Sequence, residues 1–245
     1  MLAAVFRFHG ELNDFLAHAR RQVDITIQFN HDQSVKHLIE SLGVPHTQVG
    51  RVLVGGRDMN FGYLVRDGDR VEVFPLSIEE RSGVQLGEPR FVVDNHLGRL
   101  AAYLRMLGFD TLYRNDYDDD ELAQIAGLDE RILLTRDQRL LMRNQVQRGY
   151  WVRSKIPREQ IVEVLRRFGL WAEVVPFKRC MRCNGVLQPV EKEAVLHRLE
   201  PLTNEYFDQF RICSDCSQVY WQGSHYERMA RLIDQVVEES RSAAS

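Results

Sequence analysis

The amino-acid sequence predicts an α/β protein in three segments: a small sheet domain, a parallel sheet covered by helices, and a cysteine-bearing tail. Three observations predict it. Apolar and polar residues alternate with period two near the N-terminus, strand-like and helix-like runs alternate through the middle, and all four cysteines follow Pro176. The segments are residues 1–77, 90–175 and 176–245, and the polar stretch Ile78–Pro89, with its Gly and Pro, reads as a linker.

The first segment opens with the strand-like Ala3–Phe8 and continues with Asp24–Phe29, which alternates cleanly. A short amphipathic helix follows, with Val35, Leu38, Ile39 and Leu42 on one face. Asp32 is placed to cap its start, and Gly43 followed by Pro45 ends it. Arg51–Val54 and Arg70–Phe74 are two further strands, the second preceded by an Asp67–Gly68 turn. Strand, strand, helix, strand, strand in so short a span is the order of a β-grasp unit.

The second segment repeats strand and helix. Phe91–Val93, Asp110–Tyr113, Arg131–Thr135 and Tyr150–Val152 read as strands. Between them lie a helix with Leu97, Leu100, Ala101, Leu104 and Leu107 at helical spacing, ended by Gly108, a helix marked by Leu122, Ile125 and Ala126, and one through Leu140 and Leu141. Pro157 sits at the start of a last helix with Ile161, Val164, Leu165 and Phe168 on one face. Such βα units imply right-handed crossovers and a parallel sheet with helices on both faces. The third segment ends in an amphipathic helix, about Tyr226–Glu239. No internal repeat or low-complexity region appears.

Composition narrows the function classes. The chain has 245 residues with a formal net charge of -3, 44% hydrophobic and 27% charged residues, which is ordinary for a globular protein and argues against disorder. No apolar run approaches the roughly 20 residues of a membrane-spanning helix. The N-terminus lacks a basic start, a continuous apolar core and a small-residue cleavage site, so no secretory signal is expected. These features point to a cytoplasmic protein with reduced thiols and no membrane partner. They exclude a disulfide scaffold and a strongly basic histone-like binder.

In an open parallel sheet the loops after the strands converge on one edge, where ligands bind. Three of the four predicted strands are followed by acids: Asp94 after the first, Asp116, Asp118, Asp119, Asp120 and Glu121 after the second, and Asp137 after the third. Each has a local reading as a helix cap or a first-turn charge. Together they suit Mg²⁺ or Mn²⁺, which prefer oxygen ligands, and a carboxylate-bound metal pair about 4 Å apart is a standard device for phosphodiester hydrolysis. Asp94, Asp119, Asp120, Glu121 and Asp137 are the metal candidates, with Asp120 preferred within its cluster. Asp116 and Asp118 read as solvated loop charges.

Basic residues near that edge fit a polyanion through phosphate contacts: Arg99, Arg105, Arg136, Arg139, Arg153 and Lys155. Residues 81–175 hold 15 basic and 14 acidic side chains, so any basic patch is local. Arg105, beside the apolar face of its helix, has an equal reading as the partner of a sheet-edge carboxylate.

Cys180-x-x-Cys183 and Cys213-x-x-Cys216 form two knuckles, and four thiolates complete a tetrahedral Zn²⁺ shell with no open catalytic position. The 29 residues between the knuckles fit an inserted hairpin. Beyond them Tyr220 and Trp221 precede His225 and Arg228. Trp221 is expected to pack the ribbon onto the sheet, and His225 with Arg228 to contact RNA.

These residues also carry two resemblances. Val52–Asp58 and Val65–Val73 resemble the ubiquitin-like sulfur carriers. Carriers act through a free C-terminal Gly-Gly, whereas Gly55–Gly56 is internal, so a docking or stabilising module is expected, through which an unidentified protein partner could bind. Val93–Asp110, Leu133–Asp137 and the tail motifs Arg179–Asn184 and Cys213–His225 resemble the PIN-like ribonuclease domain at the C-terminus of the Mut-seven type exonucleases. Bacterial members carry a ubiquitin-like N-terminal domain, so the resemblance spans nearly the whole chain. It implies a metal-dependent endoribonuclease whose catalytic acids map to Asp94, Asp120 and Asp137. Many PIN nucleases have a fourth acid near the end of the next strand, and Tyr150–Lys155 has none. The sequence therefore predicts a metal-dependent ribonuclease acting on RNA, with tRNA a candidate substrate. The alternatives are a non-catalytic zinc-ribbon RNA-binding or ribosome-associated adaptor, and a sulfur-carrier adaptor serving tRNA modification.

Overall fold

The computed structural model describes residues 1–76 and 89–242, so the linker expected at Ile78–Pro89 lies outside the described residues except for Pro89. The chain divides into two compact units, Met1–Gln85 with Asp119–Trp151, and Leu86–Asp118 with Val152–Ser245.

In the first unit, β1 (Leu2–Phe8) buries Ala4, Phe6 and Phe8 on one face, as period-two alternation requires. It pairs antiparallel with β2 (Ile25–Phe29) and parallel with β5 (Arg70–Pro75). β5 pairs antiparallel with β3 (Val49–Val54), which carries the two-residue β4 (Arg57–Asp58) on its outer edge. The sheet order is β2-β1-β5-β3-β4, and α1 (Val35–Ser41) covers it with Val35, Leu38 and Ile39. This is the β-grasp arrangement. The cap of α1 differs from expectation: the Ser34 hydroxyl, not Asp32, accepts the His37 N–H at 3.2 Å. Ser34 directly precedes the first helical residue, where an N-cap side chain can reach the unpaired N–H groups.

The same unit contains α3 (Asp119–Leu128), β8 (Ile132–Thr135) and β9 (Gly149–Trp151), with β8 and β9 parallel. Ile132, Leu133, Leu134 and Thr135 are all buried, the signature of a strand covered on both faces. The helix expected through Leu140 and Leu141 is a single 3-10 turn, Leu140–Met142. The β-grasp segment packs directly on this part. Gln48 Nε2 donates to the Gly149 carbonyl at 3.0 Å, His46 Nε2 meets the Val146 carbonyl at 3.0 Å, and Lys36 Nζ donates to Asn144 Oδ1 at 2.7 Å. The Phe15 and Trp151 rings lie 4.9 Å apart between centroids.

In the second unit, β6 (Arg90–Val93) and β7 (Asp110–Leu112) pair in parallel around α2 (Gly98–Met106). Leu100, Ala101 and Leu104 of α2 are buried, and the chain turns into β7 through Gly108 at φ +98. A side chain at Gly108 would meet the Val175 carbonyl oxygen at 2.2 Å, so the turn requires glycine. α4 (Pro157–Phe168) ends at left-handed Gly169 and packs on α2 and on the terminal helix α7 (Ser224–Ser242). The tail forms an antiparallel sheet of β10 (Leu187–Val190), β11 (Phe210–Cys213) and β12 (Val219–Trp221). Between β10 and β11 lie α5 (Lys192–Val195) and α6 (Pro201–Tyr206), so the insertion between the knuckles is a strand with two short helices. The protein is thus mixed α/β, with parallel strands flanked by helices, a β-grasp segment and a cysteine cluster in the tail. No helix among the described residues is long and apolar enough to cross a membrane.

Candidate functional site

Asp94 follows β6 directly, is 6% exposed, and caps the turn Asn95–Leu97 by accepting the His96 N–H at 3.4 Å. The Tyr113 hydroxyl, just past β7, donates to the Asn95 carbonyl at 3.0 Å and fixes that turn. A Cβ on Gly98 would approach this hydroxyl to 2.6 Å, so the fixation depends on glycine. Asp137 follows β8: its N–H donates to Thr135 Oγ1 at 2.9 Å, and its Oδ1 accepts the Arg139 N–H at 2.7 Å. Both acids therefore do local capping work.

The acids after β7 sort by partner. Arg114 holds Asp116 through two hydrogen bonds of 2.9 Å, and this pairing keeps the Asp116 carboxyl below its usual range. Asp116 is a paired loop charge. Asp119, Asp120 and Glu121 form the first turn of α3, where acids complement the helix dipole. Arg143 gathers two of them, with Nη1 on Asp120 Oδ1 and Nη2 3.8 Å from Asp119 Oδ2. Sequence patterning gave no sign of Arg143, which stands 23 residues from Asp120 beyond a tight turn.

Glu163 was also missed. From α4 it accepts the N–H groups of Arg153 at 2.8 Å and Ser154 at 3.1 Å. The segment after β9 thus receives its carboxylate from a helix ten residues on, not from its own residues. Both Glu163 oxygens serve as a brace for that loop.

Among the basic candidates, Arg99, Arg136, Arg139 and Lys155 are exposed and Arg153 is half-buried. Arg105 needs correction. It is 5% exposed, and its guanidinium donates to the carbonyls of Thr111 at 2.9 Å, Met181 at 3.3 Å and Arg182 at 3.1 Å. A buried guanidinium must satisfy its donors, and here three carbonyls do so. It is available neither to RNA nor to a sheet-edge carboxylate as a pair. His225 and Arg228 are exposed on α7 and meet each other at 3.2 Å.

The four cysteines are free thiols gathered together, with all four sulfurs within 4.8 Å of one another. Cys180 and Cys216 sulfurs lie 3.7 Å apart, and Cys183 and Cys213 sulfurs 3.4 Å. Tetrahedral thiolates at a Zn–S distance of about 2.3 Å lie ~3.8 Å apart, so the donor set and its size fit that ion. Each knuckle turns through a left-handed residue just after its second cysteine, Asn184 at φ 77 and Ser217 at φ 58. Asn184 N–H then donates to the Cys180 carbonyl and Ser217 N–H to the Cys213 carbonyl. A side chain on Gly185 would come 2.7 Å from the Cys213 sulfur, so the cluster closes only over glycine. Burial raises the Cys180 thiol pKa, but hydrogen bonds from Tyr220 and from the backbone N–H groups of Cys183 and Arg182 outweigh it and hold it at about 7. Burial pushes Cys183 up to about 12. The four sulfurs are placed so that, once deprotonated, they can share one cation.

The cluster is tied to β7. The Thr111 N–H donates to Asn184 Oδ1 at 2.9 Å, and Asn184 Nδ2 donates to Asp110 Oδ1 at 2.8 Å. Trp221, expected to pack the ribbon onto the parallel sheet, instead lies on the outer strand of the ribbon and is 39% exposed.

The structure combines a β-grasp segment, parallel α/β strands followed by acids and a four-cysteine tail in one α/β protein. The chain belongs to the Mut7-C RNAse domain family, whose match spans residues 89–233, and residues 1–81 match the Mut7-C ubiquitin domain. Two crystal structures of small archaeal modifier protein 1 from Haloferax volcanii are similar, both at 16% identity and a TM-score of 0.25. They cover 31% and 30% of this chain and 98% and 93% of their own. No curated protein matches the chain.

Proposed function

We propose that the protein is a metal-dependent ribonuclease in which Asp94, Asp120 and Asp137, supported by Asp119 and Glu121, hold Mg²⁺ or Mn²⁺. The observation that carries the reading is that Asp94 directly follows β6, Asp119, Asp120 and Glu121 open the helix after β7, and Asp137 lies in the turn after β8, in a chain of the RNAse domain family. Carboxylate oxygens suit these hard cations, and the Arg143 guanidinium on Asp119 and Asp120 marks those carboxylates as a cation-accepting pair. When bound, the ion supplies an activated water and charge neutralisation for in-line attack at phosphorus, leaving a 5′-phosphate and a 3′-hydroxyl.

The chain's own residues do the rest. The cap at Asp94 and the turn at Asp137 aim these carboxylates without rotamer search, and none of the acids acts as a covalent nucleophile. Arg99, Arg136, Arg139, Arg153 and Lys155 hold RNA phosphates, with His225 and Arg228 on the tail. Cys180, Cys183, Cys213 and Cys216 hold structural Zn²⁺. The β-grasp segment, whose only Gly-Gly is the Gly55–Gly56 turn, acts as a docking module and not as a carrier.

The test is the double substitution Asp94→Asn with Asp137→Asn. Amides keep the capping acceptor oxygen but lose the charge, so the fold is expected to persist while Mn²⁺-dependent RNA cleavage falls by at least 10³-fold, about 4 kcal/mol of transition-state stabilisation. Cleavage at the parental rate by a folded double variant overturns the mechanism. RNA binding with no divalent-dependent turnover by the parent protein would instead favour an RNA-binding adaptor.

A further inference from the structure

The ribbon and the start of α7 carry two adjoining cavities of about 620 and 640 Å³, within the roughly 300–1,000 Å³ common for ligand sites. They share one wall, built from Met181, Tyr220, Trp221, Tyr226 and Met229. Arg179 and Arg211 line the first, and Arg182 with the His225 imidazole the second. Glu191 and Asp208 are the acids of the first cavity, and Asp208 is neutralised by Lys192 at 2.8 Å.

The aromatic wall is held in place. Phe177, which lines the first cavity, adopts a left-handed φ of 57, rare for a bulky residue and costly unless its surroundings enforce it. Arg211 Nη1 donates to its carbonyl at 2.8 Å, and its ring lies against Tyr226 with centroids 4.5 Å apart. The Tyr220 hydroxyl and the Cys180 sulfur share a hydrogen bond of 3.1 Å, so the wall is fastened to the cysteine cluster. Trp221 is left 39% exposed with cavity on both sides.

We propose that this ridge is a binding site for single-stranded RNA, with a base stacked on Trp221 and successive phosphates held by Arg182 on one side and Arg211 on the other. Rigid aromatic faces beside guanidiniums match what an unpaired polynucleotide offers, a π-face and a phosphate at each step. An acidic or apolar peptide would use only one of the two features. The proposal deepens the ribonuclease reading by naming where its RNA is held, and it needs no metal at the carboxylates.

The experiment uses the full chain with its zinc retained and no added magnesium or manganese, titrated into a fluorescein-labelled octauridylate and its abasic counterpart. Stacking predicts that the octauridylate binds at least fivefold tighter than the abasic strand, that Trp221→Ala removes this preference, and that Trp221→Phe restores most of it. Arg182 is exposed, so Arg182→Gln serves as a variant whose folding is not at issue. It is expected to flatten the slope of log affinity against log salt by about 0.7. Equal affinity for both strands, or an unchanged salt slope in Arg182→Gln together with unchanged base preference in Trp221→Ala, overturns the site. Because no cleavage is read, parental-rate cleavage by the double aspartate variant would sink the ribonuclease mechanism alone and leave this binding site standing.

Discussion

At the scale of single residues, Arg143 decides how the acids of α3 behave. It pairs with both Asp119 and Asp120 while being one-third exposed itself, with Asp120 87% exposed. Exposed pairs of this kind contribute roughly 0–1 kcal/mol, because water screens them and two long side chains lose freedom. A divalent ion at Asp120 has to displace that guanidinium. Arg143→Ala is therefore expected to tighten Mn²⁺ binding by about two- to fivefold, the factor that ~1 kcal/mol allows, read directly by titration of the free-ion electron paramagnetic resonance signal. Weaker binding in the variant would show that Arg143 supports an ion there instead of competing with it. The acids themselves were legible in the sequence, because an acid after a predicted parallel strand needs only local pattern to be seen. Arg143, Glu163 and the fate of Arg105 were not, since each depends on a side chain crossing to another element. Capping and ligand readings also coexist at Asp94 and Asp137, where the same oxygen chemistry serves both.

At the scale of elements, the knuckle and α2 form one construction. Arg105 reaches from α2 to the carbonyls of Met181 and Arg182, the two residues between Cys180 and Cys183, while also bonding Thr111 in the middle of β7. Burial pushes its pKa down, and the Cys183 and Cys180 sulfurs offset part of that shift. Arg105→Leu fills similar space but orphans these carbonyls, at roughly 1–3 kcal/mol each where no water enters. The variant is expected to release zinc to a chromogenic chelator at least tenfold faster and to lose amide protection at Thr111. Parental release rates with Thr111 still protected would show that the knuckle stands without α2. Both cysteine pairs and the apolar stripe of α2 were readable from spacing. The bridge between them was not, because an arginine beside an apolar face looks the same in sequence whether it points to water, a carboxylate or a carbonyl. The turn at Leu140–Met142 escaped for a related reason: two adjacent leucines satisfy a helical pattern, and tertiary burial lets a single turn serve.

At the scale of the whole molecule, the β-grasp segment and the stretch Asp119–Trp151 form one compact unit although the family boundary falls between them. The succession of strands and helix along the β-grasp segment was legible in the sequence, but its docking surface was not, because Gln48 and His46 are polar residues outside every predicted strand and helix. They are 2% and 8% exposed, and they satisfy the carbonyls of Gly149 and Val146 that would otherwise be left at the edge of β9. Phe15 covers the ring of Trp151, and Lys36 fixes Asn144, the neighbour of Arg143. Removing residues 1–76 would uncover Trp151 and leave those carbonyls without their donors, a loss on the order of several kcal/mol against a typical total of about 5–15. A chain beginning at residue 89 is thus expected to show fast amide exchange throughout β8 and β9 and a red-shifted tryptophan emission. The cysteine cluster, which belongs to the other unit, should still retain zinc. A truncated protein whose Leu133 and Tyr150 amides exchange as slowly as in the full chain would mean that Asp119–Trp151 is stabilised without the β-grasp segment, and that the docking seen at Gln48 and His46 contributes specificity of position but little of the stability assigned to it.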